Sequence, residues 1–124
     1  MTSSNGDRRP LIIIVGVCAA GKTTLQNGLR KLGLNAHSIA QEHSVSPRFW
    51  RRKNPDVLIY LECTYETTKQ RKAVRWGIET HNRQKEILKD ARENADIFIT
   101  TDGFLPEELI ETALSELRAK SFYE

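Results

Sequence analysis

The stretch Gly16-Val17-Cys18-Ala19-Ala20-Gly21-Lys22-Thr23-Thr24 satisfies the pattern G-x-x-x-x-G-K-S/T at every position. Those residue types at that spacing suit the cradling of phosphate groups. Gly16 and Gly21 let the backbone approach phosphate oxygens that a side chain would block. A helix starting directly after such a loop adds free N–H groups and about half a positive charge. The ammonium of Lys22 would reach the β and γ phosphates, and the hydroxyl of Thr23 would hold Mg²⁺. Gly16, Ala19, Ala20, Gly21, Lys22, Thr23 and Thr24 are therefore the candidate phosphate-binding residues.

The flanking sequence supplies the elements that would hold this loop. Leu11 to Val15 is an apolar run that reads as a buried strand, and Thr23 to Leu32 reads as a helix with Leu25, Leu29 and Leu32 on one face. Gly33 stands where a helix-ending residue with positive φ belongs. Asn35 to Ala40 is the weakest strand pattern, and Gln41 to Pro55 is irregular. Val57 to Leu61 is a second strongly apolar strand. Thr64 reads as an N-cap for a helix from Tyr65 to about Arg75, with a further helix from about Ile78 to Asn94 after the Trp76-Gly77 interruption. Ile97 to Thr100 is the last strand. Pro106 opens a final helix whose Leu109, Ile110, Ala113, Leu114 and Leu117 form an apolar stripe. This order predicts a three-layer α/β/α fold with a four-stranded parallel sheet.

With 124 residues the chain suffices for a single domain, here residues 10–124, behind a loose polar tail at 1–9. A net charge of +3 favours anionic ligands without demanding nucleic acid. No apolar run approaches the length of a membrane span, and Cys18 and Cys63 do not make a disulfide framework. These features predict a cytoplasmic protein. An unpaired edge strand leaves monomer and homodimer both open.

The chain resembles the small P-loop kinases, the adenylate kinase and nucleoside or nucleotide kinase group of P-loop NTPases. The glycine loop carries the resemblance first. The run from Pro55 to Glu66, leading to Arg71 and Arg75, is similar to the family segment in which an apolar strand ends in an acid and arginines follow. Ala95 to Gly103 is similar to the family's last strand and nucleotide-base loop, which brings in Asp102. Ala40-Gln41-Glu42-His43-Ser44 also resembles a block of very small bacterial P-loop proteins. The family implies a P-loop fold that binds ATP, or GTP, with Mg²⁺. It implies that Arg71 packs on the base and Arg75 approaches phosphates. The departures are large. The acceptor-binding insert, the strand with the usual metal-facing aspartate and the Asp-Arg pair that often holds the acceptor have no counterpart, and the lid is reduced to about Arg75-Trp76-Gly77. Any second substrate is small, or gripped by the Gln41 to Lys53 loop.

With that strand missing, Asn35 to Ala40 should lie directly beside the glycine-loop strand and carry Glu42 to its C-terminal end. Glu42 is the candidate acid, acting through a Mg²⁺-bound water or as a base, with His43 nearby; a solvated loop pair would read the same. Glu62 is the reserve acid or a partner of the following helix. Arg71 and Arg75 fit nucleotide contacts and an exposed basic helix face equally well. Arg48-Phe49-Trp50-Arg51-Arg52-Lys53 has the make-up of a nucleic-acid contact, but Phe49 and Trp50 pinning the loop to the core is favoured and nucleic acid disfavoured. Cys18 and Cys63 read as ordinary reduced thiols ahead of a redox pair, and His37 and His81 have no metal-ligand spacing. The leading expectation is a minimal kinase-like protein transferring the γ-phosphoryl of a nucleoside triphosphate to a small acceptor or water. A nucleotide-dependent regulatory protein without turnover competes with it, and a nucleic-acid accessory protein stands third.

Overall fold

Residues 9–122 are described by a computed structural model, so the tail expected over residues 1–9 falls, except for Arg9, outside the described part. The apolar runs become four strands: β1 (Leu11–Gly16), β2 (Asn35–Ser38), β3 (Val57–Glu62) and β4 (Ile97–Thr100). Five α-helices accompany them among the described residues: α1 (Lys22–Lys31), α2 (Tyr65–Arg71), α3 (Ile78–Ile87), α4 (Lys89–Asn94) and α5 (Pro106–Ala119). All strand pairings are parallel, in the order β2-β1-β3-β4. The fold is the three-layer α/β/α arrangement that the pattern predicts. No helix among the described residues is long and apolar enough to cross a membrane.

The strand order follows from right-handed crossovers. The chain steps from β1 to β2 in one direction, then passes back over β1 to β3 and on to β4. Right-handedness therefore puts α1 on one face and the connections between β2 and β4 on the other. α1 and α5 pack together, so closely that a Cβ on Gly28 would lie 2.3 Å from Ile110 Cδ1. On the opposite face α4 packs on β3, and α3 packs on a 3₁₀ turn at Gln41–His43. The reversal of direction at β1 opens a crevice outside the C-terminal strand ends, where open parallel sheets take ligands. The central strands are dry: Ile12, Ile14, Val15, Val57, Ile59, Tyr60 and Leu61 are fully buried.

Several local expectations shift. Leu32 stays half-exposed, because α1 ends at Lys31 and Leu34 is buried in its place. α2 stops at Arg71, where Lys72 turns extended, and Ile78 to Asn94 forms two helices joined at buried Leu88. The irregular stretch holds the turn at Gln41–His43 and a 3₁₀ helix at Phe49–Lys53. Its course matters for function. It starts beside the C-terminal end of β2 and finishes at Asp56, whose carboxylate accepts the Leu11 N–H at 2.7 Å at the N-terminal edge of the sheet. On the way buried Gln41 accepts the Trp50 N–H at 2.7 Å, and the Trp50 indole donates to Asp90 at 2.9 Å. Trp50 thus anchors the segment.

Candidate functional site

At the C-terminal strand ends lies a cleft of about 620 Å³ lined by residues 18–24, Glu42, His43, Arg71, Lys72, Thr101, Phe104, Leu105, Pro106 and Leu109. Its floor is the loop from Gly16 to Thr24, whose path has steric requirements. A Cβ at Gly16 would sit 2.2 Å from the Leu61 carbonyl oxygen, so only glycine lets β1 end this close to β3. Gly21 has φ 108°, and Ala19 has φ 65°, the left-handed region that a residue with a Cβ enters at a cost. Among the described residues no acceptor faces the N–H groups of Ala19, Gly21, Lys22, Thr23 and Thr24, all of which line the cleft.

Lys22 is the first residue of α1, where its charge opposes the helix dipole. Nothing in helix formation calls for a cation there. Its ammonium donates to the Gly16 carbonyl at 2.8 Å, the Val17 carbonyl at 3.0 Å and Glu42 Oε2 at 2.8 Å. Glu42 comes from the turn after β2, and β2 does pair with β1. Its side chain is only 6% exposed, and its second oxygen, Oε1, is buried with no hydrogen-bond partner among the described residues. A buried carboxylate oxygen left unsatisfied costs about 1–3 kcal/mol, which makes it a group that a ligand or its water could satisfy. His43, more than half exposed, has Nε2 3.7 Å from Glu42 Oε2.

The other strand-end acid has a different environment. Glu62 Oε1 accepts the hydroxyl of fully buried Tyr60 at 2.9 Å and has Arg92 at 4.0 Å, and Glu62 does not line the cleft. Burial, then the Glu62 carboxylate, pushes the Tyr60 hydroxyl well above its usual range.

The basic and acidic residues named from the sequence divide. Arg71 lines the cleft, but its guanidinium is engaged, donating to the Ala19 carbonyl at 3.0 Å, to Thr101 Oγ1 at 3.1 Å and to the Thr101 carbonyl. Arg75 is exposed beyond the end of α2 and does not line the cleft. Asp102 also stays outside it, accepting the Thr64 N–H and the hydroxyls of Thr64 and Thr67 at the start of α2. Burial works to raise the Asp102 carboxyl, but those hydrogen bonds outweigh it and hold it below the usual range. The cluster from Arg48 to Lys53 is likewise away from the cleft. Asp90 accepts two hydrogen bonds from Arg51, at 3.1 and 2.9 Å, and has Arg48 at 3.7 Å. Of the Gln41 to Lys53 segment, only Glu42 and His43 reach the cleft.

No protein-family model and no curated protein matches the chain.

Several cleft residues carry no signal in the sequence. Lys72, Thr101, Phe104, Leu105 and Leu109 line it, and Lys72 Nζ is 3.8 Å from Cys18 Sγ. Thr101 donates to the Ala20 carbonyl at 2.8 Å. The Cys63 thiol is 3.9 Å from the Cys18 carbonyl, and burial pushes it above its usual range. Both cysteines are free and buried. No group of three or more His, Cys, Asp or Glu forms a metal site among the described residues. A Mg²⁺ ion bound largely through phosphates and water needs only one or two protein oxygens. Thr23 and the unpartnered Oε1 of Glu42 fit that requirement.

Proposed function

We propose that the cleft binds a nucleoside triphosphate, ATP or GTP, with Mg²⁺, and that the protein is a minimal kinase-like enzyme passing the γ-phosphoryl to a small acceptor or water. The observation that carries this reading is that the cleft holds Lys22 together with five loop residues whose N–H groups meet no acceptor among the described residues. Such an array serves an anion with several oxygens, and it recurs at phosphate sites that open a helix.

Phosphoryl transfer is mostly positioning and charge neutralisation. The loop amides and Lys22 would hold the phosphate chain, with Phe104, Leu105 and Leu109 providing an apolar wall for the rest of the ligand. Thr23 and Glu42 would hold Mg²⁺, which neutralises charge on the phosphates when bound. A bond then forms from the acceptor oxygen to the γ phosphorus as the bond to the β–γ bridging oxygen breaks. The nucleoside diphosphate leaves, and the acceptor proton passes to a Mg²⁺-bound water held by Glu42 or, where Thr23 alone holds the ion, to Glu42 itself. The two free thiols suit a reducing, cytoplasmic setting.

Thermal melts of the protein with ATP or GTP, each with and without Mg²⁺, test the binding step, since a ligand of the native state raises the melting temperature. A Mg²⁺-dependent rise is expected; no shift with either nucleotide would overturn the reading. A regulatory protein without turnover is the second reading. It is favoured by the Lys22–Glu42 pair, because phosphate drawing Lys22 away would act directly on the Gln41–His43 turn. Single-turnover transfer above background separates the two.

A further inference from the structure

We propose that Gln84, on α3 outside the cleft, is the positioning residue that fixes the conformation of the Gly16–Thr24 loop. Its Oε1 accepts the buried N–H of Cys18 at 3.0 Å, across 66 residues of sequence. Gln84 is 3% exposed and does not line the cleft, so it cannot act by touching a ligand there.

The bond stands out against what holds the next peptide groups. The Cys18 carbonyl accepts the Thr68 hydroxyl at 3.1 Å, the Ala19 carbonyl accepts Arg71 at 3.0 Å, and the Ala20 carbonyl accepts Thr101 at 2.8 Å. Three successive carbonyl groups are thus engaged by side chains of α2 and of the residue after β4. Ala19 is held at φ 65°, a conformation it would leave without such bonds. At the N–H of Cys18, where the loop departs from β1, the side-chain brace is Gln84. Behind it the Ala20 N–H is also taken, by the Val17 carbonyl at 3.2 Å, while the N–H groups of Ala19 and Gly21 meet no acceptor among the described residues.

α3 also packs on the Gln41–His43 turn that presents Glu42. One helix therefore backs both the loop and the acid facing it. Gln84 sits one turn after buried His81 and one turn before buried Leu88, so the inward face of α3 keeps its place by burial and leaves the amide carbonyl to meet Cys18.

The binding arm of the test rests on the nucleotide reading of the cleft, while its exchange arm does not. Amide hydrogen exchange by NMR is measured at Cys18 and, as a reference for global opening, at Ile59 in the sheet centre. Wild type is compared with Gln84→Met, which keeps the shape and removes the acceptor, and Gln84→Glu, which keeps an acceptor. Gln84→Met should speed Cys18 exchange about tenfold relative to Ile59, the loss of one hydrogen bond, while Gln84→Glu keeps Cys18 slow. Calorimetric titration with Mg·ATP should show roughly tenfold weaker binding by Gln84→Met. If Gln84→Met does not fold, Gln84→Asn, which withdraws the acceptor by one methylene, takes its place with the same expectations.

Cys18 exchange as slow in Gln84→Met as in wild type would overturn the proposal. So would fast exchange with unchanged Mg·ATP affinity, since the loop would then bind without its brace. Wild type that binds no Mg·ATP would instead sink the nucleotide reading, leaving the exchange comparison to decide the brace.

Discussion

Glu42 lies just past one of the two strands that flank β1 and Glu62 ends the other, and they have become different things. Glu42 stands against Lys22 at the cleft, with one oxygen paired and the other buried and unpartnered. Glu62 is enclosed by its own flank, accepting from Tyr60 two residues earlier and lying near Arg92, which itself covers Phe98. Alternation along β3 explains the second case: Glu62 shares the face of Tyr60, while Leu61 meets Gly16. Glu42 escapes that constraint because it sits past the end of β2, on a turn. The difference teaches that the end of a strand does not make an acid functional. What counts is whether its partners are spent on the fold or left open to a ligand.

Four measurements would break or sharpen this contrast. Lys22→Ala should have the largest effect, removing Mg·ATP binding and leaving Glu42 buried without its cation, at a cost of about 3 kcal/mol or more in urea unfolding. The double change Lys22→Ala with Glu42→Gln should recover part of that stability. Arg92→Ala on the other flank, where the pair is long and Arg92 half-exposed, should cost less than about 1 kcal/mol. Equal costs on both flanks would erase the distinction.

Next comes turnover. Glu42→Gln should slow single-turnover phosphoryl transfer on the order of 10²-fold, as loss of an acid–base group does, while Glu62→Gln leaves the rate unchanged. A slow Glu62→Gln with a normal Glu42→Gln would reverse the assignment.

Tyr60→Phe removes the donor to Glu62 and should lower stability by about 1 kcal/mol without altering Mg·ATP affinity. A change in affinity would mean that the β3 flank communicates with the cleft.

The smallest effect concerns His81, which lies behind the cleft on α3. Burial, then Lys85, holds its ring below the usual value of 6.5, with Glu62 and Asp102 working the other way. The unfolded chain therefore binds the proton more readily. His81 contributes no penalty above pH 6.5, and stability falls as the pH drops below that value towards the lower folded value. Urea midpoints across this range should decline in wild type and flatten in His81→Gln; parallel profiles would show that His81 is not the responsible group.

Much of this architecture could be read along the chain. Leu11 to Val15, Val57 to Leu61 and Ile97 to Thr100 announce strands by composition, and the missing acceptor strand led to β2 beside β1, as found. The loop's glycines were equally legible, since a Cβ at Gly16 has no room. Partners were not. Asp102 and Arg75 looked like nucleotide residues by position, yet Asp102 is taken up by Thr64 and Thr67, and Arg75 lies outside the cleft. In the basic cluster after Gln41 the anchoring by Trp50 was legible from its aromatic character, whereas its partners Gln41 and Asp90 were not. Gln84 had no signal at all, because one polar residue on a polar helix says nothing about what it will meet.

The order of strands and helices, the glycine loop and its lysine follow from short-range rules. Periodicity, capping and φ preferences act over a few residues and can be read from them. The pairing of Glu42 with Lys22, the engagement of Arg71 with the loop and the bond from Gln84 to Cys18 arise only when distant segments meet. Burial then sets the cost of each unpaired group, and that cost depends on neighbours 20 to 66 residues away.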